Sequence, residues 1–316
     1  MGSQALQGAG RLAIAMIEKL LTFVLALSLS ACGVSRSSGA DPLPVAPPSP
    51  RLESDSVDIL QLFAPHEYRS RGQVLPYRLF APRHDGSTKK YPLVVFLHGA
   101  SSSGTDNHRQ LTGSGFWGTS LWLSEDVQRA HPSFVLAPQA NPPRGGTWVS
   151  RWRKPEGEPG GPEPLELVVE LVDRLVKELP IDPKRLYITG LSMGGFGAWS
   201  AITRYPHKFA AAVPVCGGGD PSAVMQNQTA VWAFHGAGDL MVSAQRSREM
   251  VQAFRDAGAE AKYTEYPDLD HNSWERAYQE PDLVRWLFSQ QLHNQKSQSG
   301  QQDETSIRSS SPGTIR

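Results

Sequence analysis

Cysteine is nearly absent from this chain. Its 316 residues include two, Cys32 and Cys216, which excludes a disulfide-stapled scaffold. No His, Cys and carboxylate residues stand at metal-ligand spacing, so neither a metal nor any other cofactor is expected. Net charge is also missing. The 31 Lys and Arg residues balance 31 Asp and Glu, which argues against a nucleic-acid or polyanion partner. Neither a Gly-x-x-x-x-Gly-Lys-Ser/Thr loop nor a Gly-x-Gly-x-x-Gly turn at the first strand is present, which disfavours kinase and dehydrogenase chemistry. The apolar run from Leu20 to Ala31 is short, about 12 residues against the roughly 20 that a membrane-spanning helix needs. No internal repeat is apparent.

What the chain does have is Gly190-Leu-Ser192-Met-Gly194, a Gly-x-Ser-x-Gly pattern in strand-turn-helix context. Arg185 to Thr189 is apolar, β-branched and aromatic and follows the breaker Asp182-Pro183, as a buried strand does. Gly197 to Arg204 is helix-compatible and stops at Tyr205-Pro206. A serine hydroxyl is a weak nucleophile, so an enzyme must expose it beside a base and backbone donors. Ser192 is therefore the expected nucleophile.

Such a serine needs a histidine as base and a carboxylate to orient it, in the chain order serine, acid, histidine. Four histidines follow Ser192. His207 ends the helix after the turn, His235 ends the strand Val231 to Phe234, and His293 sits in a polar tail. His271 follows the strand-like run Ala261 to Tyr266 and precedes a helix opening at Ser273-Trp274, so it occupies a loop beyond a strand end. It is the expected base. Asp239 follows the Val231 strand through His235-Gly-Ala-Gly and precedes the helix-like stretch Ala244 to Ala257. It is the favoured acid, with Asp220 and Asp268 as the main alternatives. Asp270 adjoins His271 too closely to orient its ring.

Hydrolysis through a tetrahedral intermediate also needs two backbone N–H groups for the oxyanion. Met193, after the serine, supplies one. The other is expected from Ala100, in the loop His98-Gly99-Ala100 after Tyr91 to Leu97, an apolar run typical of a central parallel strand. His98 is expected to pin that loop. Phe134 to Ala137 reads as another strand and Leu165 to Leu179 as an amphipathic helix, so strands and helices alternate around a mostly parallel central sheet.

Five blocks, YPLVVFLHGASSSGTDN, FVLAPQ, LYITGLSMGGFGAWSAITRYPHKFAAAVPVCGGGD, VWAFHGAGDLMV and KYTEYPDLDHNSW, arrive in order between about residues 60 and 290. Together they resemble the esterase and predicted-peptidase branch of the α/β-hydrolase superfamily, with feruloyl and acetylxylan esterases, polyhydroxyalkanoate depolymerases and prolyl oligopeptidase among its members. The resemblance implies an α/β-hydrolase fold with a single catalytic domain. Its motif positions fall on Ser192, Asp239 and His271, with Met193 and Ala100 as oxyanion donors. Ser101 to Ser103 stand where relatives often carry charged residues, in a loop that helps shape substrate preference.

Residues 1–31 read as a signal peptide, with Arg11 and Lys19 before the apolar run and Met1 and Met16 as alternative starts of translation. The run ends Leu29-Ser-Ala-Cys32, resembling a bacterial lipoprotein box in which Cys32 is acylated; a plain secretory cleavage site is the alternative. With Cys32 lipidated, Cys216 has no partner and reads as a small core residue. Gly33 favours the outer membrane or periplasmic face over inner-membrane retention. Residues 32–52 form a Ser/Pro-rich tether, 53–293 the catalytic domain and 294–316 a polar tail expected to be disordered. The long Gly/Pro-rich stretch from Asn141 to Pro164 carries Trp148. That residue and Trp274 either wall a substrate pocket or fill the core. The expected function is hydrolysis of a small-molecule or polysaccharide-linked carboxylic ester. The rivals are a serine peptidase of prolyl oligopeptidase type and a non-catalytic binding lipoprotein that keeps the fold.

Overall fold

A computed structural model describes residues 59–83, 88–140, 148–149, 163–227 and 229–292. All belong to one unit, Asp55–Arg316. The expected signal peptide, Cys32, the tether, the polar tail and His293 lie outside the described residues. Among those described, no helix is long and apolar enough to cross a membrane.

The strands are β1 Ala64–Ser70, β2 Gln73–Phe80, β3 Tyr91–Leu97, β4 Phe134–Pro138, β5 Ile181–Leu191, β6 Ala211–Val215, β7 Ala230–Gly236 and β8 Ala261–Tyr266. They form one sheet in the order β1-β2-β4-β3-β5-β6-β7-β8. β1 and β2 pair antiparallel, as do β2 and β4, while every other pairing is parallel. The helices are α1 Ile59–Leu62, α2 Ser114–Leu123, α3 Glu125–Ala130, α4 Pro164–Glu178, α5 Met193–Arg204, α6 Gln245–Asp256, α7 Trp274–Tyr278 and α8 Leu283–Ser289.

Every residue of β3 is buried, as its unbroken apolar run requires. Alternate side chains feed two separate cores. Leu93, Val95 and Leu97 pack with Leu171, Val172, Trp199 and Phe254 from α4, α5 and α6. Val94 and Phe96 pack on the other face with Trp122 and Leu287 from α2 and α8. A sheet covered on both faces leaves only its strand ends open, and the parallel strands end together at their carboxyl termini.

β5 begins earlier than its sequence suggests, because Asp182-Pro183 lies inside it rather than before it. Pairing with β3 is irregular there, jumping from Tyr91↔Ile181 to Leu93↔Leu186. Proline lacks an amide proton, and such an irregularity is where a strand tolerates it.

The β5–α5 turn is set by backbone crowding. A methyl group placed on Gly194 would lie 1.8 Å from the Leu97 carbonyl oxygen, and one on Gly190 would lie 2.4 Å from the Gly194 oxygen. With both positions free of side chains, α5 starts directly against β3. Ser192 absorbs the turn at φ 51° and ψ −117°, left-handed backbone that side chains seldom adopt.

A second constraint holds the loop after β3. His98 is fully buried; its Nδ1 lies 2.7 Å from the Gly99 oxygen and its Nε2 accepts the Ala140 amide at 3.0 Å. An amide only donates, so the ring proton sits on Nδ1 and the imidazole is neutral. Burial pushes His98 from 6.5 down to about 4. Trp148 closes the arrangement, its indole N–H donating to the His98 oxygen at 3.0 Å with the rings 4.9 Å apart. Trp148 is itself fully buried and packs in the core beneath the sheet face that carries α4 and α5.

Two predictions follow from this packing. Gly194→Ala should destabilise the fold by about 3 kcal/mol, since backbone, not a side-chain tip, must move. Gly72→Ala, at φ 75° with nothing within 4 Å, should cost only about 1 kcal/mol of conformational strain. Equal shifts in denaturant midpoint for the two variants would refute the crowding argument. For His98, the unfolded chain binds the extra proton between pH 6.5 and about 4, so stability falls as pH drops through that window. The full shift corresponds to roughly 3 kcal/mol. Stability against pH should thus be steeper for the wild type than for His98→Asn, and parallel curves would contradict it.

Candidate active site

Three strand ends deliver the expected residues to one place. Ser192 leaves β5, Asp239 follows β7 and His271 follows β8. The Ser192 amide donates to the Val215 oxygen at 2.9 Å, tying the turn to the end of β6, and lies 3.3 Å from Cys216 Sγ. The loops bearing Asp239 and His271 are locked together by backbone: Ala237 N–H donates to the Tyr266 oxygen and Gly238 N–H to the Leu269 oxygen, each at 2.9 Å.

A continuous hydrogen-bonded line results. His271 Nδ1 lies 2.7 Å from Asp239 Oδ2, and His271 Nε2 lies 3.0 Å from Ser192 Oγ. An ionised carboxylate only accepts, so Nδ1 carries the proton and Nε2 is left bare to accept from the serine hydroxyl. The Asp239 side chain is fully buried while His271 keeps 13% exposure, which leaves the histidine as the member that meets solvent. Ser273 N–H donates to the His271 carbonyl at 2.9 Å, and the Trp274 ring stands edge-on to the imidazole at 5.6 Å. Trp274 therefore flanks His271 directly.

The alternative acids are engaged elsewhere. Asp220 caps a short turn through the Ser222 amide at 3.0 Å. Asp268 forms a two-pronged pair with Arg276 at 2.7 and 2.9 Å, and Asp270 accepts the Asn272 amide at 3.1 Å. His207 is exposed at the end of α5.

Two backbone segments border the serine. Met193 opens α5, where the first amides have no intrahelical acceptor and the helix dipole is positive. The loop after β3 comes equally close, since a methyl group on Gly99 would lie 3.8 Å from Ser192 Cβ. The Gly99 carbonyl is held from one side by His98 Nδ1 and the Ser102 amide, at 2.7 and 3.1 Å. In a trans peptide the C=O and the following N–H point in opposite directions, so holding the Gly99 carbonyl also fixes the Ala100 N–H.

Two residues read in sequence only as a core cysteine and a strand-end histidine turn out to touch the site. Cys216, at φ 40°, is buried beneath the serine, and burial raises its thiol well above the ordinary range, so it stays protonated. His235 lies on the far side of Asp239, with Nε2 3.1 Å from Oδ2. Its place on the Val231 strand, four residues before the acid, was the available signal. Among the described residues no group of three or more His, Cys, Asp or Glu is arranged to hold a metal.

Comparison with known proteins fits this geometry. A bifunctional acetylxylan esterase/xylanase of Neocallimastix patriciarum is 32% identical over 136 residues, covering 41% of this chain and 19% of that protein. Poly(3-hydroxyalkanoate) depolymerase C of Paucimonas lemoignei is 28% identical over 141 residues, covering 45% and 31%. The chain thus spans a third or less of the length of these two curated relatives. The crystal structure of a thermostable esterase is 38% identical, with a TM-score of 0.65 over 74% of this chain and 64% of that one. The mixed sheet with helices on both faces is accordingly an α/β-hydrolase fold. The family model described as "Putative esterase" matches residues 72–307, more than half of the sequence, and the chain therefore belongs to the Esterase family.

Proposed function

We propose that this protein is a serine hydrolase of carboxylic esters in which Ser192 is the nucleophile, His271 the base and Asp239 the acid. The observation that carries the reading is the line from Ser192 Oγ through both nitrogens of His271 to Asp239, with bonds of 3.0 and 2.7 Å. Ser192 Oγ attacks the ester carbonyl carbon while its proton passes to His271 Nε2. The carbonyl oxygen takes up negative charge, facing the Met193 and Ala100 amides. The C–O bond to the alcohol then breaks, and His271 returns the proton to the departing oxygen. Water attacks the acyl-enzyme in the same way, releasing the acid and regenerating Ser192. Asp239 keeps the ring in its Nδ1–H form and balances the imidazolium.

Relatives named for acetylxylan and polyhydroxyalkanoate ester chemistry support a small-molecule or polymer-linked ester as substrate. The Leu29-Ser-Ala-Cys32 sequence supports export and a lipid anchor at Cys32, which would hold the enzyme on the outer membrane or the periplasmic face.

Ser192→Ala should abolish p-nitrophenyl acetate and butyrate hydrolysis and fluorophosphonate labelling with an unchanged circular dichroism spectrum. Retained turnover refutes the nucleophile. Asp239→Asn should lower kcat by roughly 10⁴, as loss of the orienting acid does elsewhere. Asp220→Asn and Asp268→Asn should stay near wild type. A panel of acetyl, feruloyl, acetylated-xylan and proline-amide substrates should show turnover of esters over the amide; faster amide cleavage would favour the peptidase reading. Cys32→Ser should move the protein from the membrane fraction to the soluble fraction of a bacterial host and abolish incorporation of labelled palmitate. An unchanged distribution argues against the anchor.

A further inference from the structure

His235 is a fully buried histidine that the proposed reaction does not use, yet it touches the group that reaction depends on. Asp239 has no Lys or Arg partner among the described residues, and its side chain has no exposed surface. Its charge is met by four donors. Oδ1 accepts the Met241 and Val242 amides at 2.9 and 2.8 Å, and Oδ2 faces His271 Nδ1 at 2.7 Å and His235 Nε2 at 3.1 Å.

The protonation of His235 follows from its neighbours. Nε2 sees two acceptors, Asp239 Oδ2 and the Val242 carbonyl at 2.9 Å, so it must carry a proton. Nδ1 lies 2.8 Å from Ser247 Oγ on α6. Burial lowers His235 from the ordinary histidine range, and the Ser247 hydroxyl faces both Nδ1 and the Gly217 carbonyl, at 2.8 and 3.1 Å. The charged groups facing the ring are Asp239, His271 when protonated, and Glu265, its cross-strand partner on β8, which Arg248 already pairs at 2.6 and 2.9 Å. Two imidazoles therefore donate to one carboxylate oxygen.

On the functional reading above, we propose that His235 is a positioning residue for the hydrolysis: its Nε2–H fixes Asp239 Oδ2 for His271 and takes up part of the carboxylate charge that would otherwise act on His271 alone. The two amides on Oδ1 hold only one oxygen. His235 occupies the remaining lone pair of the other, and every hydrogen bond a carboxylate accepts makes it a weaker partner for a cation. Without His235 the same charge would favour protonated His271 more strongly.

The test compares His235→Phe, which fills the space without a donor, with His235→Gln, whose amide N–H reaches the Nε2 position, on p-nitrophenyl acetate. For Phe the acid limb of the kcat/KM profile should move to higher pH by about half a unit or more, with kcat down about tenfold and KM little changed. Gln should restore both. The low-field Nδ1–H resonance of His271 should shift in Phe and return in Gln, a readout that needs no turnover and so survives if the esterase reading fails. Should Phe not fold, Ser247→Ala, which frees Nδ1 and loosens the ring, should move the limb and the resonance in the same direction by less. An unmoved acid limb and resonance in a folded variant, or equal losses in Phe and Gln, would overturn the proposal.

Discussion

Close backbone approach at the β5–α5 turn is the constraint on which the rest of the site depends. Because Gly194 lets α5 begin against the Leu97 carbonyl, the chain has no room for a relaxed loop, and Ser192 takes the left-handed conformation. Such a conformation costs a non-glycine residue about 1–2 kcal/mol. It is offset by the Ser192 amide bond to the Val215 oxygen and by the buried face of α5, whose Trp199 and Ile202 are fully covered. The same turn lifts Oγ toward the strand ends and puts the free amides of α5 beside it. Placement of the proposed nucleophile and its electrostatic setting are thus one packing event. Cys216 at φ 40° ends the neighbouring strand under the same turn, so two strained residues abut where β5 and β6 finish.

Charge is handled differently inside the site and outside it. Surface pairs such as Arg276–Asp268 and Arg129–Glu125 are open to water and contribute within about 1 kcal/mol each. Asp239 has no such pair among the described residues. A buried carboxylate without a cation persists as an ion only if donors fill its lone pairs, and here two amides and two imidazoles do so. Neutral donors hold the negative charge without cancelling it. That leaves a field at His271 for the moment when, in the proposed reaction, it becomes cationic.

Much of this was legible in sequence because it rests on patterns with a mechanical cause. The buried run Tyr91 to Leu97 and the Gly-x-Ser-x-Gly turn appear at the expected residues, since full burial and backbone crowding each leave one solution, and the β-branched and aromatic run Ala261 to Tyr266 is a strand as expected. The antiparallel β1 and β2 gave no such sign: β1 lies at the sheet edge, is mostly exposed, and reads Ala-Pro-His-Glu-Tyr-Arg-Ser without alternation. Proline at 183 misled because it marks an irregularity within β5 rather than its start. Trp148 sits in a glycine- and proline-rich segment whose composition gives no sign of the buried carbonyl that its N–H meets. His235 was passed over because sequence order can exclude a residue as base yet says nothing of contacts made through a shared partner.

Three histidines near the site show how identical side chains are driven to different chemistry by what faces each nitrogen. His98 carries its proton on Nδ1, since an amide occupies Nε2. His235 carries it on Nε2, facing a carboxylate and a carbonyl. Both rings are sealed, and burial lowers the affinity of each for a second proton. His271 resembles His98 in tautomer but has a carboxylate at Nδ1, a hydroxyl at Nε2 and partial exposure. A ring that must gain and lose a proton in each turnover needs a counter-charge on one nitrogen and an exchangeable partner on the other. His235 also meets a carboxylate and a hydroxyl, but it is sealed; of the three only His271 joins both partners to an open face, and the sealed pair are fit for holding rather than transferring: His98 the loop after β3, His235 the Asp239 carboxylate.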